Sequence, residues 1–131
     1  MVAWPLEAEN LSPSVLITDD NASWRDVVED VLARAGFRTL QASCGEEAIE
    51  LVHGERVDIV LIDFHMPRLD GIQTLRIIRH ENHWMPAVMM TGRPQEVPAE
   101  AVETLRVHTV LPKPTDRQVI VTTITRVVEK G

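Results

Sequence analysis

Hydrophobic positions along this chain alternate between two patterns. Val15-Leu16-Ile17-Thr18, Ile59-Val60-Leu61-Ile62 and Pro86-Ala87-Val88-Met89-Met90 are short, largely apolar runs of the kind expected for strands covered on both faces. The stretches between them carry apolar residues at helical spacing. Over 23–35, Trp24, Val27, Val28, Val31, Leu32 and Ala35 fall on one face, with Arg25, Asp26, Glu29, Asp30 and Arg34 on the other. Gly36 is placed to stop that helix. A weaker strand is predicted over 37–42. Ser43 and Gly45-Glu46-Glu47 then open a helix to about residue 53, with acids in its first turn. A helix over 71–80 sets Ile72, Leu75, Ile78 and Arg79 at helical intervals. Pro94 and Pro98 interrupt 93–107 and leave room for a short helix over 99–105. A last strand over 107–111 runs into Pro112-Lys113-Pro114. Thr115 is the expected N-cap of a final helix, whose apolar face is Val119, Ile120, Thr123, Ile124, Val127 and Val128.

A strand followed by a helix, five times over, implies parallel βαβ units and an α/β fold with helices on both faces of one sheet. Residues 1–13 contain two prolines and no clear period, and read as an N-terminal extension to a single domain over 14–131. The 131 residues include 13 basic and 20 acidic side chains, for a net charge of −7. That balance argues against direct nucleic-acid binding by this domain. A single cysteine, Cys44, fits a reducing, cytoplasmic setting. The first residues lack the basic and apolar regions of a signal peptide, and no run suits a membrane helix, so no membrane partner is expected. His53, His80, His83 and His108 have no zinc-ligand spacing with Cys44.

The chemistry is expected beyond the carboxyl ends of the strands, where open parallel sheets bind ligands. Asp19-Asp20, Asp63, Thr91 and Lys113 all fall there. Lys113 is one of only two lysines beside eleven arginines. Three neighbouring carboxylates repel one another unless a cation compensates, and Mg²⁺ suits their oxygen ligands. Such a set suits phosphoryl transfer. Asp63, alone on the middle strand, is the best-placed nucleophile and would form an acyl phosphate.

Leu16-Ile17-Thr18-Asp19-Asp20-Asn21, Val60-Leu61-Ile62-Asp63-Phe64-His65-Met66-Pro67, Leu69-Asp70-Gly71, Met89-Met90-Thr91-Gly92 and Leu111-Pro112-Lys113-Pro114 together resemble a bacterial two-component response-regulator receiver domain. The match runs from about Val15 to Val128, and the joint order and spacing of the motifs carry it. The resemblance implies a (βα)5 doubly wound, five-stranded parallel sheet of flavodoxin-like type, with strand order 2-1-3-4-5. It implies that Asp63 accepts a phosphoryl group from a sensor histidine kinase or phosphotransfer protein. Mg²⁺ would be held by Asp20, Asp63 and the backbone carbonyl of His65, with Asp19 acting through a water. Lys113 would pair with Asp63 and then with the phosphoryl group, and Thr91 would move toward that group. The domain would switch a downstream partner or an effector domain. It would assist only its own phosphorylation and dephosphorylation, without turning over an external substrate.

Two departures from the family pattern shape the expectations. Val110 stands where such domains usually carry an aromatic residue, and the chain has no tyrosine. Switching is therefore expected to rest on the segment 91–107. His65 and Arg93, two residues beyond Asp63 and Thr91, would border the phosphoryl group and modulate its lifetime. The alternative is a receiver-like interaction module that is never phosphorylated; the intact set of Asp19, Asp20, Asp63, Thr91 and Lys113 argues against it. A phosphatase of the haloacid-dehalogenase type would need a second Asp where His65 stands. Among the tryptophans, Trp24 is expected to be half-buried, Trp84 partly exposed, and Trp4 part of the extension.

Overall fold

The structure, a computed structural model, describes residues 12–130. Most of the expected extension, Trp4 included, lies outside them. The elements run β1 (Ser14–Thr18), α1 (Ala22–Arg34), β2 (Arg38–Ala42), α2 (Gly45–Gly54), β3 (Ile59–Asp63), α3 (Gly71–Glu81), β4 (Ala87–Thr91), a 3-10 turn (Pro94–Glu96), α4 (Ala99–Thr104), β5 (Val107–Pro112) and α5 (Arg117–Lys130). The five strands form one parallel sheet in the order β2-β1-β3-β4-β5. This is the expected architecture and strand order.

The apolar runs are buried because the sheet is covered on both sides. Side chains alternate across a strand, so each run feeds two separate cores. Leu16, Val60, Ile62 and Met89 face Ala48 of α2, Ile72, Leu75 and Ile78 of α3, and Ala101 of α4. Val15, Ile17, Leu61, Val88 and Met90 face Val28 and Leu32 of α1 and Ile120, Ile124 and Val127 of α5. Trp24 is half-buried against this second core, while Val110 packs against the first.

Local chemistry sets the element ends. Asn21 caps α1 by accepting from the backbone N–H of Trp24. Asp70 and Gln73 form a reciprocal capping box at α3. Gly36 follows α1 with φ +99°, the left-handed backbone that glycine adopts without strain. Thr115 is not the cap of α5: the helix begins at Arg117, and Asp116 Oδ1 accepts from Gln118 N at 2.7 Å. Phe37 and Pro86 lie just outside their strands, although the Pro86 carbonyl still accepts from Val60 N. Trp84 is more exposed than expected, at 77%, with its ring beside His83.

Gly71 is the glycine that matters most to the site. Its N–H donates to the Phe64 carbonyl at 2.8 Å. A Cβ there would lie 2.5 Å from the Asp63 carbonyl oxygen and 3.0 Å from Phe64 Cα, so α3 abuts the backbone that presents Asp63. Gly71→Ala is expected to cost about 1–3 kcal/mol, because rigid backbone must move. Denaturant unfolding of the variant measures that loss.

Candidate functional site

Strand ends place the predicted residues together. Asp63 is the last residue of β3 and Thr91 the last of β4, while Asp19 and Asp20 follow β1 and Lys113 follows β5. Asp19 and Asp63 are only 3% and 6% exposed and Thr91 is fully buried, whereas Asp20 faces solvent. Asp19, Asp20 and Asp63 each bring a carboxylate oxygen within 4.8 Å of the others. Asp63, His65, Gly92, Arg93 and Lys113 line one pocket.

Hydrogen bonds hold these groups in place. Lys113 Nζ donates to Asp19 Oδ2 at 2.6 Å and lies 3.5 Å from Asp63 Oδ2. The ammonium thus sits closer to Asp19 than to Asp63, its expected partner. It also stands 5.8 Å from the centre of the Trp24 ring. The Lys113 backbone N–H donates to the Thr91 carbonyl at 2.8 Å, and the Lys113–Pro114 bond is cis. Asp19 Oδ1 accepts from Asn21 N at 2.9 Å, and its backbone carbonyl accepts from Arg25 Nη1 at 2.6 Å. Arg25 Nε donates to Gln41 Oε1, and Gln41 Nε2 to Asp26 Oδ1, so the acidic turn after β1 is braced from both α1 and β2.

The opposite rim is built from the turns after β3 and β4. His65 N lies 3.4 Å from Asp63 Oδ1. The His65 ring meets Glu96 Oε1 through Nε2 at 2.8 Å and Thr91 Oγ1 through Nδ1 at 3.4 Å. Arg93 N donates to Thr91 Oγ1 at 2.9 Å, and Arg93 Nη1 to Glu96 Oε2 at 3.3 Å. Neither Arg25 nor Glu96 stood out as a site residue in the sequence, because each reaches partners on another element.

Burial, and next the neighbouring Asp19 charge, push the Asp63 carboxyl up from its ordinary 3.8 to about 6, against the opposing pull of Lys113. Glu96 is lowered, first by its hydrogen bond to His65. One cation facing two buried carboxylates leaves the site short of positive charge. The oxygen-only donor set fits a hard divalent ion better than a soft one.

Comparison with known proteins gives a consistent result. A family model described as the response regulator receiver domain matches residues 15–125. The chain is 32% identical over 107 residues to the transcriptional regulatory protein CpxR of Escherichia coli strain K12, spanning 81% of this chain and 45% of CpxR. It is 29% identical over 119 residues to the CAI-1 autoinducer sensor kinase/phosphatase CqsS of Vibrio cholerae, spanning 88% of this chain and 17% of CqsS. The chain therefore spans less than half the length of these curated relatives. Among solved structures it is similar to the chemotaxis protein CheY4 of Vibrio cholerae, with TM-score 0.81, 26% identity and coverage of 88% of this chain and 98% of that one. It is similar also to the REC domain of AraT, a response regulator from Geobacillus stearothermophilus, with TM-score 0.81, 30% identity and coverage of 92% and 95%.

The raised Asp63 carboxyl has a consequence for stability. The folded state binds its proton more tightly than the unfolded chain does, so stability falls as pH rises from about 4 through 6. Asp63→Asn removes that charge. Without divalent ions it is expected to be more stable than the parent at pH 7.5 by about 1–2 kcal/mol, after discounting for water at the pocket mouth. The gain is expected to shrink toward pH 4. Thermal melts of both proteins across this range, in chelator, test the sign.

Proposed function

The chain belongs to the response regulator receiver domain family, and on that premise we propose that it is a phosphorylation-operated switch whose acceptor is Asp63. The observation that carries this reading is the convergence of Asp19, Asp20, Asp63, Thr91 and Lys113 at one edge of the sheet. In the proposed step an Asp63 carboxylate oxygen attacks phosphorus in a phosphohistidine of a sensor kinase or phosphotransfer protein. The new O–P bond forms as the P–N bond breaks. The imidazole nitrogen keeps the electron pair, and the ring leaves neutral because its other nitrogen carries a proton in the phosphohistidine. Lys113 can follow the charge from the carboxylate to the phosphoryl oxygens, because it already stands 3.5 Å from Asp63. The Thr91 hydroxyl can donate to one of those oxygens.

The crowded acids fit Mg²⁺; Asp20, Asp63 and the His65 carbonyl would hold it, with Asp19 acting through a water. When bound, the ion supplies positive charge that offsets the anionic acceptor and the incoming phosphoryl oxygens. Arg25 and Asn21 keep the Asp19 turn in place meanwhile. The domain assists only its own phosphorylation and hydrolysis and passes the result to an output partner or effector domain. A cytoplasmic location belongs to the same proposal. No helix among the described residues is long and apolar enough to cross a membrane.

The intact site favours this reading over a module that never takes a phosphoryl group. Incubation with a small phosphodonor and Mg²⁺ is expected to add one phosphoryl group by intact mass, and Asp63→Ala is expected to add none. An unchanged parent mass would favour the unphosphorylated module.

Val110 lacks the ring whose swing would report the event elsewhere in the family, and a β-branched side chain has few rotamers. The signal is expected instead in the segment 91–107. Saturating phosphorylation should shift its backbone NMR resonances; their constancy would exclude this route.

A further inference from the structure

Glu96 ends the 3-10 turn after β4, and both its carboxylate oxygens are engaged at the pocket rim. Oε1 meets His65 Nε2 at 2.8 Å, and Oε2 accepts from Arg93 at 3.3 Å. The other ring nitrogen of His65, Nδ1, faces Thr91 Oγ1 at 3.4 Å. A carboxylate only accepts hydrogen bonds, so Nε2 carries a proton. In the neutral ring Nδ1 is then the acceptor, and the Thr91 hydroxyl must be the donor. The Thr91 oxygen already accepts from Arg93 N at 2.9 Å. With the ring neutral, the single Thr91 proton is directed to His65, and it is the same proton that a phosphoryl oxygen on Asp63 would need.

We infer that Glu96 is a positioning residue: it holds His65 and Arg93 at the rim of the Asp63 pocket and, through His65, keeps the Thr91 hydroxyl in its resting hydrogen bond. This rests on the reading of Asp63 as phosphoacceptor. His65 and Arg93 line the pocket, whereas Glu96 grips both from outside it. A phosphoryl group on Asp63 must compete with Glu96 for Arg93 and the imidazole, and with His65 for the Thr91 proton. Glu96 therefore opposes the phosphorylated arrangement, and its removal favours that arrangement by population shift. The side chains of His65, Glu96 and Arg93 are 44%, 42% and 65% exposed, so the effect is modest, about two- to fivefold in affinity.

The test titrates the full chain, with Mg²⁺, with beryllofluoride, a tetrahedral stand-in for a phosphoryl group. Glu96→Ala, His65→Ala and the double variant are compared with the parent, and melting temperatures verify that each is folded. Glu96→Ala is expected to tighten apparent affinity about two- to fivefold. In the His65→Ala background that gain is expected to fall by more than half, because the link to Thr91 is already gone. An unchanged or weakened affinity in Glu96→Ala overturns the inference. So does a gain undiminished without His65, which would reduce Glu96 to a local negative charge. A parent that neither binds beryllofluoride nor gains a phosphoryl group overturns the reading of Asp63, and this inference with it. A parent that does both leaves the variants to decide the role of Glu96 alone.

Discussion

The carboxyl edge of the sheet is organised by a shortage of positive charge. Asp19 and Asp63 are buried there, Asp20 stands beside them, and among the described residues Lys113 is the cation paired with both buried carboxylates. An ionised carboxylate removed from water is costly unless it is paired and hydrogen-bonded. The surrounding structure reduces that cost in several ways. Backbone N–H groups of Asn21 and His65 approach Asp19 and Asp63, and Lys113 is drawn between the two acids. Gly71 lets α3 press against the backbone that carries Asp63. The compensation is incomplete, which is why the Asp63 carboxyl rises to about 6. A site left short of cation in this way is ready to take one up.

Much of this was legible in the residue pattern, for physical reasons. Parallel strands covered on both faces must be apolar throughout, so Val15–Thr18 and Ile59–Ile62 announced themselves, and their polar successors marked the sheet edge. Strand order came from the resemblance and not from periodicity, because pairing between distant strands leaves no local trace. The misses were local competitions or distant contacts. Thr115 and Asp116 are adjacent residues that can both cap, and the aspartate does so. Lys113 does pair with Asp63, at 3.5 Å, but it also meets Asp19 at 2.6 Å, and nothing in the spacing announced that second, closer acid. Arg25 and Glu96 read as ordinary charges on polar stretches. Their partners lie 16 and 31 residues away, at Gln41 and His65, and only the folded chain brings them together.

The same contrast explains Val110. Its identity was visible as a departure, yet its meaning depends on packing. It sits on β5 against the core shared by α2, α3 and α4, where Val97, Val102 and Leu105 also pack. An apolar residue of that size fills space without reaching the pocket. On that side of the pocket the polar contacts are made by buried Thr91, at the end of β4, and by His65, Arg93 and Glu96 on the exposed turns after β3 and β4.

The division of the interior into two cores also makes the molecule unequal from side to side. The segment 91–107 borders only the core beneath α2, α3 and α4, whereas α1 and α5 close over the other, with the sheet standing between them. A rearrangement of that segment can proceed while the α1–α5 half keeps its packing. Under the proposed switch, one half would serve as a fixed handle and the other as a movable face. A protein that had to hold the domain in both states of that proposed switch would have reason to grip the handle, and one that had to tell them apart would have reason to read the face.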